Sequence, residues 1–247
     1  MITGAGSGIG RCCAQLFADA GARLLLAGRR EEPLKSLRAE LAEGKAAYIT
    51  GDVSQPEHNR QLFETAEQRF GGVDIFVANA GFEGAARPLP DYPLEVFDEV
   101  MAVNVRGVFL GLKNAIPAMH RRGGGSIVIV SSIGGIKARG MGNSAYVASK
   151  HAEIGLMRTA AMENTAHNVR VNAVLPGPTE TRMIRSIEEN RSPGAPDQAR
   201  AAILEGLPLK RYGTVDEVAQ LILFLASDAA SICTGGVYLA DGGLSAI

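Results

Sequence analysis

With 247 residues, 46% hydrophobic and 21% charged, the chain is long enough for one large domain with a substantial core. A formal net charge of −1 gives no basic excess for nucleic acid or an anionic membrane, and no apolar run approaches the roughly 18 residues of a spanning helix. Without a cleavable leader, a C-x-x-C pair among Cys12, Cys13 and Cys233, or ligand spacing among His58, His120, His151 and His167, a reduced, cytoplasmic, metal-free protein is expected.

Only Met1 and Ile2 precede Thr3, so the innermost strand of a β-α-β unit is truncated or very short. Gly4, Gly6, Ser7, Gly8, Ile9 and Gly10 then form a G-x-x-x-G-x-G loop that runs into a helical pattern over 8–20, with Gly21 as its C-terminal cap. Glycines let the backbone approach a pyrophosphate, and the helix start offers free N–H groups and a positive dipole end. By spacing alone this is a glycine-rich turn; its place at the head of a β-α-β pattern makes it a dinucleotide loop.

A strand over 23–27 ends in Gly28-Arg29-Arg30. An acid at this tip would bind a ribose 2′-hydroxyl and an arginine a 2′-phosphate, so Arg29 makes NADP the expected cofactor over NAD. Glu31 or Glu32 could still serve a ribose hydroxyl. Helix 31–43, strand 46–50, helix 56–70 with Ser54 as cap candidate, and strand 73–78 follow. One long helix is expected over 94–120, with Asn104 a poor interior residue that bends the helix or holds a water.

Strand 126–131 ends in Ser131-Ser132, and helix 145–166 carries Tyr146 and Lys150. Strand 169–174 leads to 181–207, a loosely patterned stretch with Arg182, Arg185, Arg191, Pro193 and Pro196 that reads as a lid over the site. Helix 214–226 and strand 237–240 complete the chain. Short strands apolar at nearly every position, alternating with helices, predict a single-domain α/β fold over 1–247 with a doubly wound parallel sheet.

Tyr146 and Lys150, four apart on a helix, share one face. A free tyrosine titrates near pH 10, and a neighbouring ammonium favours its phenolate, which suits it to acid/base work. The alternative is an ordinary surface pair. Ser132, just past a strand's carboxyl end, faces the ligand crevice of such a sheet or simply begins the Gly134-Gly135 turn.

Together these residues resemble the classical short-chain dehydrogenase/reductase family over residues 2–243. The matching pieces are Thr3 to Gly10, Asp52-Val53, Asn79-Ala80-Gly81, Asn104, Ser132, Tyr146-x-x-x-Lys150, Pro176-Gly177 with Thr181, and Asp241-Gly242-Gly243. The resemblance implies a seven-stranded Rossmann sheet and a catalytic tetrad of Asn104, Ser132, Tyr146 and Lys150. It also implies that Lys150 holds the nicotinamide ribose, Asn104 orders a relay water, Asp52 approaches the adenine and Asn79 supports the cleft. Thr179 and Thr181 would lie nearest the carboxamide, and helices over 108–120 and 150–166 would build a homodimer or homotetramer contact.

Three departures stand out: the truncated first strand, Ala78 where a second asparagine is frequent, and a Ser132-to-Tyr146 interval that makes the loop 134–143 bulge. Lys137 and Arg139 in that loop are solvated charges or approach an acidic substrate. The expected activity is NAD(P)-dependent hydride transfer between nicotinamide and a small-molecule ketone or secondary alcohol. Gly81-Phe82-Glu83-Gly84 and Arg211-Tyr212-Gly213 resemble relatives acting on cyclic ketones or alcohols. The alternatives are a 3-oxoacyl-thioester reductase of the same family and a non-catalytic NADP-sensing protein.

Overall fold

Two-residue alternation within each strand sends neighbouring side chains to opposite sheet faces, and here both faces are apolar. Leu24 and Leu26 of β2 (Leu24–Gly28) join one buried cluster while Leu25 and Ala27 join the other. Val128 and Val130 of β5 (Gly125–Val130) separate from Ile127 and Ile129 in the same way. This computed structural model describes residues 1–138 and 142–246.

The strands form a seven-stranded parallel sheet ordered β3-β2-β1-β4-β5-β6-β7. The others are β1 (Ile2–Thr3), β3 (Ala46–Thr50), β4 (Ile75–Ala78), β6 (Val169–Pro176) and β7 (Val237–Ala240). One face is covered by α1 (Gly8–Asp19), α2 (Glu31–Glu40) and α9 (Val215–Ala226), through Phe17, Leu34, Leu37, Ile222 and Leu225. The other is covered by α3 (Pro56–Phe70), α5 (Gly107–Arg122) and α6 (Ser144–Asn164), through Leu62, Phe63, Leu112, Met119 and Met157. The doubly wound expectation holds.

β1 is short, yet Ile2 is paired on both sides, opposite Leu26 and Val77, and is only 1% exposed. The chain reverses its direction of winding at β1 and β4, and this reversal opens a crevice at the strands' carboxyl ends.

Three element predictions need correction. The helix over 94–120 is broken into α4 (Leu94–Val100), a π-helical stretch at Met101–Arg106, and α5. The wider turn carries Asn104 inward, consistent with π segments lying at functional sites. The stretch 181–207 is helical: α7 (Arg182–Arg191) begins at Thr181, whose Oγ1 accepts from the Ile184 amide at 3.3 Å, and α8 (Pro196–Glu205) begins on Pro196. Ser54 does not cap α3. Gln55 holds that position, and the Ser54 amide donates to Asp52 Oδ1 at 2.8 Å.

Candidate active site

The glycine loop takes its shape from two positions. Gly4 lies at φ +66°, and a Cβ on Gly10 would stand 2.5 Å from both the Gly4 carbonyl oxygen and Asn79 Nδ2. The loop therefore folds back on α1 with no room for a side chain. Thr3 ties it to the end of β4, its Oγ1 accepting from the amides of Asn79 at 3.0 Å and Ala80 at 3.1 Å. Asn79 Nδ2 returns a bond to the Thr3 carbonyl at 3.0 Å. Ser7, at the N-cap of α1, is exposed and makes no capping bond, so the first amides of that helix face the crevice.

Thr181 closes the loop from the opposite side: its Cγ2 lies 3.3 Å from where a Cβ on Gly8 would be, with Gly6 and Ile9 half-buried nearby. Gly177, after Pro176, allows the tail of β7 to approach, since a Cβ there would sit 2.8 Å from Asp241 Cα. Thr179 Oγ1 donates back to the Gly177 carbonyl at 2.9 Å.

At the outer strands, Arg29 is exposed beyond β2 and lies 3.6 Å from Glu99 of α4. Glu31 accepts from the Tyr48 hydroxyl at 3.1 Å. Asp52 makes a local turn after β3, while Val53 is buried against Gly107, where a Cβ would be 2.9 Å from its Cγ2. Val53 thus packs the fold, and its carbonyl accepts from Asn59 Nδ2.

The four expected catalytic residues converge around Gly81 and Gly134. A Cβ on Gly81 would meet Asn104 Oδ1 at 3.6 Å and Lys150 Nζ at 3.7 Å; one on Gly134 would meet Ser132 Oγ at 3.5 Å and Tyr146 Cε1 at 3.6 Å. Lys150 Nζ lies 5.5 Å from the Tyr146 ring centroid. Ser132 Oγ accepts from the Gly134 amide at 3.1 Å, which orients the hydroxyl.

Asn104 is fully buried. Its Oδ1 accepts from the Phe82 amide at 2.8 Å, and its Nδ2 donates to the Phe82 carbonyl at 3.0 Å and to Ser149 Oγ at 2.9 Å. Both donors are spent, and one lone pair remains for a water or a substrate hydroxyl.

Two buried residues escaped sequence reasoning. Ser149 accepts from Asn104 and donates to the Tyr146 carbonyl at 2.7 Å, joining the π-helical stretch to α6. Glu153 places both carboxylate oxygens on Lys150 Nζ, at 2.8 and 3.1 Å. Its only signal in the sequence is an acid three residues past Lys150 on an otherwise apolar helix face. Lys150 also donates to the Val130 carbonyl at 3.2 Å. Burial works against its charge, but the Glu153 carboxylate, with Tyr146, outweighs burial and holds its pKa above the ordinary value. Burial likewise pushes the Glu153 carboxyl up.

Lys137 Nζ donates to the Leu244 carbonyl at 3.3 Å; Arg139 lies outside the described residues. Among the described residues no cluster of metal-ligating side chains occurs, and no helix is long and apolar enough to cross a membrane.

A glycine loop, an open helix start and a strand-end crevice holding a Tyr-Lys pair define a dinucleotide-dependent oxidoreductase fold. The chain belongs to the short-chain dehydrogenase/reductase family and is an NAD(P)-dependent oxidoreductase: the family model described as Enoyl-(Acyl carrier protein) reductase matches residues 4–245. It is 38% identical to a levodione reductase of Leifsonia aquatica, over 100% of this chain and 93% of that protein. It is 40% identical to the 3-oxoacyl-(acyl-carrier-protein) reductase FabG of Thermotoga maritima, over 99% and 96%. The crystal structure of levodione reductase superposes with a TM-score of 0.96 at 37% identity, covering 99% of this chain and 96% of that one.

Proposed function

We propose that the protein transfers hydride between NAD(P) and a ketone or secondary alcohol, with Tyr146 as general acid/base. The observation that carries the reading is the convergence of Tyr146, Ser132, Asn104 and Lys150 on one side of the crevice. Ser132 would hold the substrate oxygen, and Tyr146 would give it a proton or take one. Lys150 would stabilise the phenolate and bind the nicotinamide ribose. Asn104 fixes the Gly81-Phe82 turn and leaves one lone pair for a relay water.

The first amides of α1, the glycine loop and the segment from Pro176 to Thr181 fit a dinucleotide, which would supply the hydride. Asp52 would take the adenine end. Arg29 favours NADP: its exposed contact with Glu99 is weak and easily exchanged for a 2′-phosphate, while Glu31 is turned toward Tyr48. The helices α7 and α8 would form the substrate lid. The faces of α5 and α6 would build a homodimer within a homotetramer, a soluble assembly in the cytoplasm.

Tyr146→Phe is expected to lower turnover by a factor of about 10² to 10⁴ with dinucleotide binding intact, measured as reduced-nicotinamide absorbance across ketones and alcohols. Unchanged turnover refutes the assignment. A 3-oxoacyl thioester is the second substrate class, favoured by the identity to the Thermotoga maritima reductase; activity on such thioesters and none on free ketones would select it. Tight dinucleotide binding without oxidation of any substrate would select a sensor.

A further inference from the structure

Glu153 puts a buried carboxyl group against the ammonium of the proposed proton-transfer pair. It lies on α6 one turn beyond Lys150, only 1% exposed, with Ile154, Met157, Ala160 and Ala161 continuing the core face after it. An acid at such a place is costly unless paired, and its partner is the ammonium itself, at 2.8 and 3.1 Å. The Val130 carbonyl already seats that ammonium at 3.2 Å, so the carboxylate is not needed for placement alone.

The groups around the pair come from three elements. α6 supplies Tyr146, Ser149, Lys150 and Glu153; the end of β5 supplies the Val130 carbonyl and Ser131, whose hydroxyl bonds the Lys150 carbonyl at 3.2 Å; the π-helical stretch supplies neutral Asn104. The carboxyl group acting on the Lys150 charge is that of Glu153. A lone ammonium 5.5 Å from the Tyr146 ring would favour the phenolate strongly. An ammonium closed against a carboxylate acts as a dipole, and its field at the ring is weaker.

On the reading of Tyr146 as the acid/base, we infer that Glu153 is a positioning residue that offsets the Lys150 charge and keeps Tyr146 a neutral phenol through neutral pH. Carbonyl reduction consumes the phenolic proton, and alcohol oxidation returns it to the phenolate. The wild-type enzyme is therefore set for reduction near neutrality, and its oxidation rate climbs toward alkaline pH.

The test is an ultraviolet titration of the Tyr146 phenolate without cofactor, each protein read against its own Tyr146→Phe counterpart. In Glu153→Gln, whose amide still accepts from Lys150, the midpoint falls by about one pH unit, and the alkaline limb of alcohol oxidation moves with it. Glu153→Met, unbranched and apolar, carries the same expectation, whereas Glu153→Asp keeps the wild-type midpoint. An unchanged or higher midpoint in the neutral variants, or an equal shift in Glu153→Asp, overturns the inference. If neither neutral variant folds, a wild-type phenolate midpoint well below about 10 overturns the inference. The titration needs no turnover, so a Tyr146→Phe protein that stays active sinks the acid/base reading without deciding the role of Glu153.

Discussion

At the residue scale the site is held by small side chains and buried amides that leave little slack. Gly10 has no space for a methyl group between the Gly4 carbonyl and Asn79. Gly10→Ala is expected to lower both thermal stability and dinucleotide affinity, measured by melting with and without cofactor, because the loop must open to admit the Cβ. Asn104 satisfies a buried amide and carbonyl of Phe82, so Asn104→Ala leaves both unpaired and costs about 2 kcal/mol in denaturant unfolding, besides any loss of turnover. Arg29→Ala is expected to raise KM for NADP several-fold and leave KM for NAD nearly unchanged; equal effects on both would remove the 2′-phosphate role.

At the scale of elements, the helix starts do separate jobs. α1 leaves its N-terminus open toward the crevice, while α9 is closed by a reciprocal cap: Thr214 Oγ1 accepts from the Glu217 amide at 3.1 Å, and Glu217 accepts from the Thr214 amide at 2.8 Å. Thr214→Ala is expected to cost about 1 kcal/mol of unfolding free energy. Arg211, foremost, together with the Thr214 amide holds the Glu217 carboxyl down to about 2. Its folded pKa is depressed, so its contribution is complete above the ordinary 4.5 and fades as pH falls toward 2. The melting difference between wild type and Glu217→Gln should therefore be largest near neutrality and shrink through that acid window.

For the molecule as a whole, the proposed lid is joined to the body at a buried carboxylate and a small apolar cluster. Glu188 of α7 accepts from the Tyr212 hydroxyl at 2.9 Å and lies 3.0 Å from Arg185 and 3.5 Å from Arg200 of α8, whose guanidinium stacks on the Tyr212 ring. A small apolar cluster of Ile184, Leu207, Tyr212 and Leu244 lies beneath. These contacts make α7 and α8 a single unit. Glu188→Ala, which strands the Tyr212 hydroxyl, is expected to cost about 2 kcal/mol and to raise protease cleavage within 182–205 before the sheet unfolds.

Local pattern determined much of this protein. Strands at 46–50 and 237–240 and the helix at 56–70 match β3, β7 and α3 residue for residue, because their apolar periods and the Pro56 start are local signals. The Tyr146-Lys150 spacing needed only a helix to put both side chains on one face. Other features depended on partners distant in the chain. The π-helical stretch at Met101–Arg106 forms where Asn104 reaches Phe82 and Ser149, 22 and 45 residues away. The polar pattern over 181–207 concealed two helices, because they are held by the buried Glu188 of α7 against Tyr212 and by a small cluster with Leu244 rather than by a continuous apolar stripe. Glu153, which no local pattern marked, is buried once α6 packs on the sheet. Burial is set by what packs across a residue in three dimensions, and that decided which charges meet in the crevice.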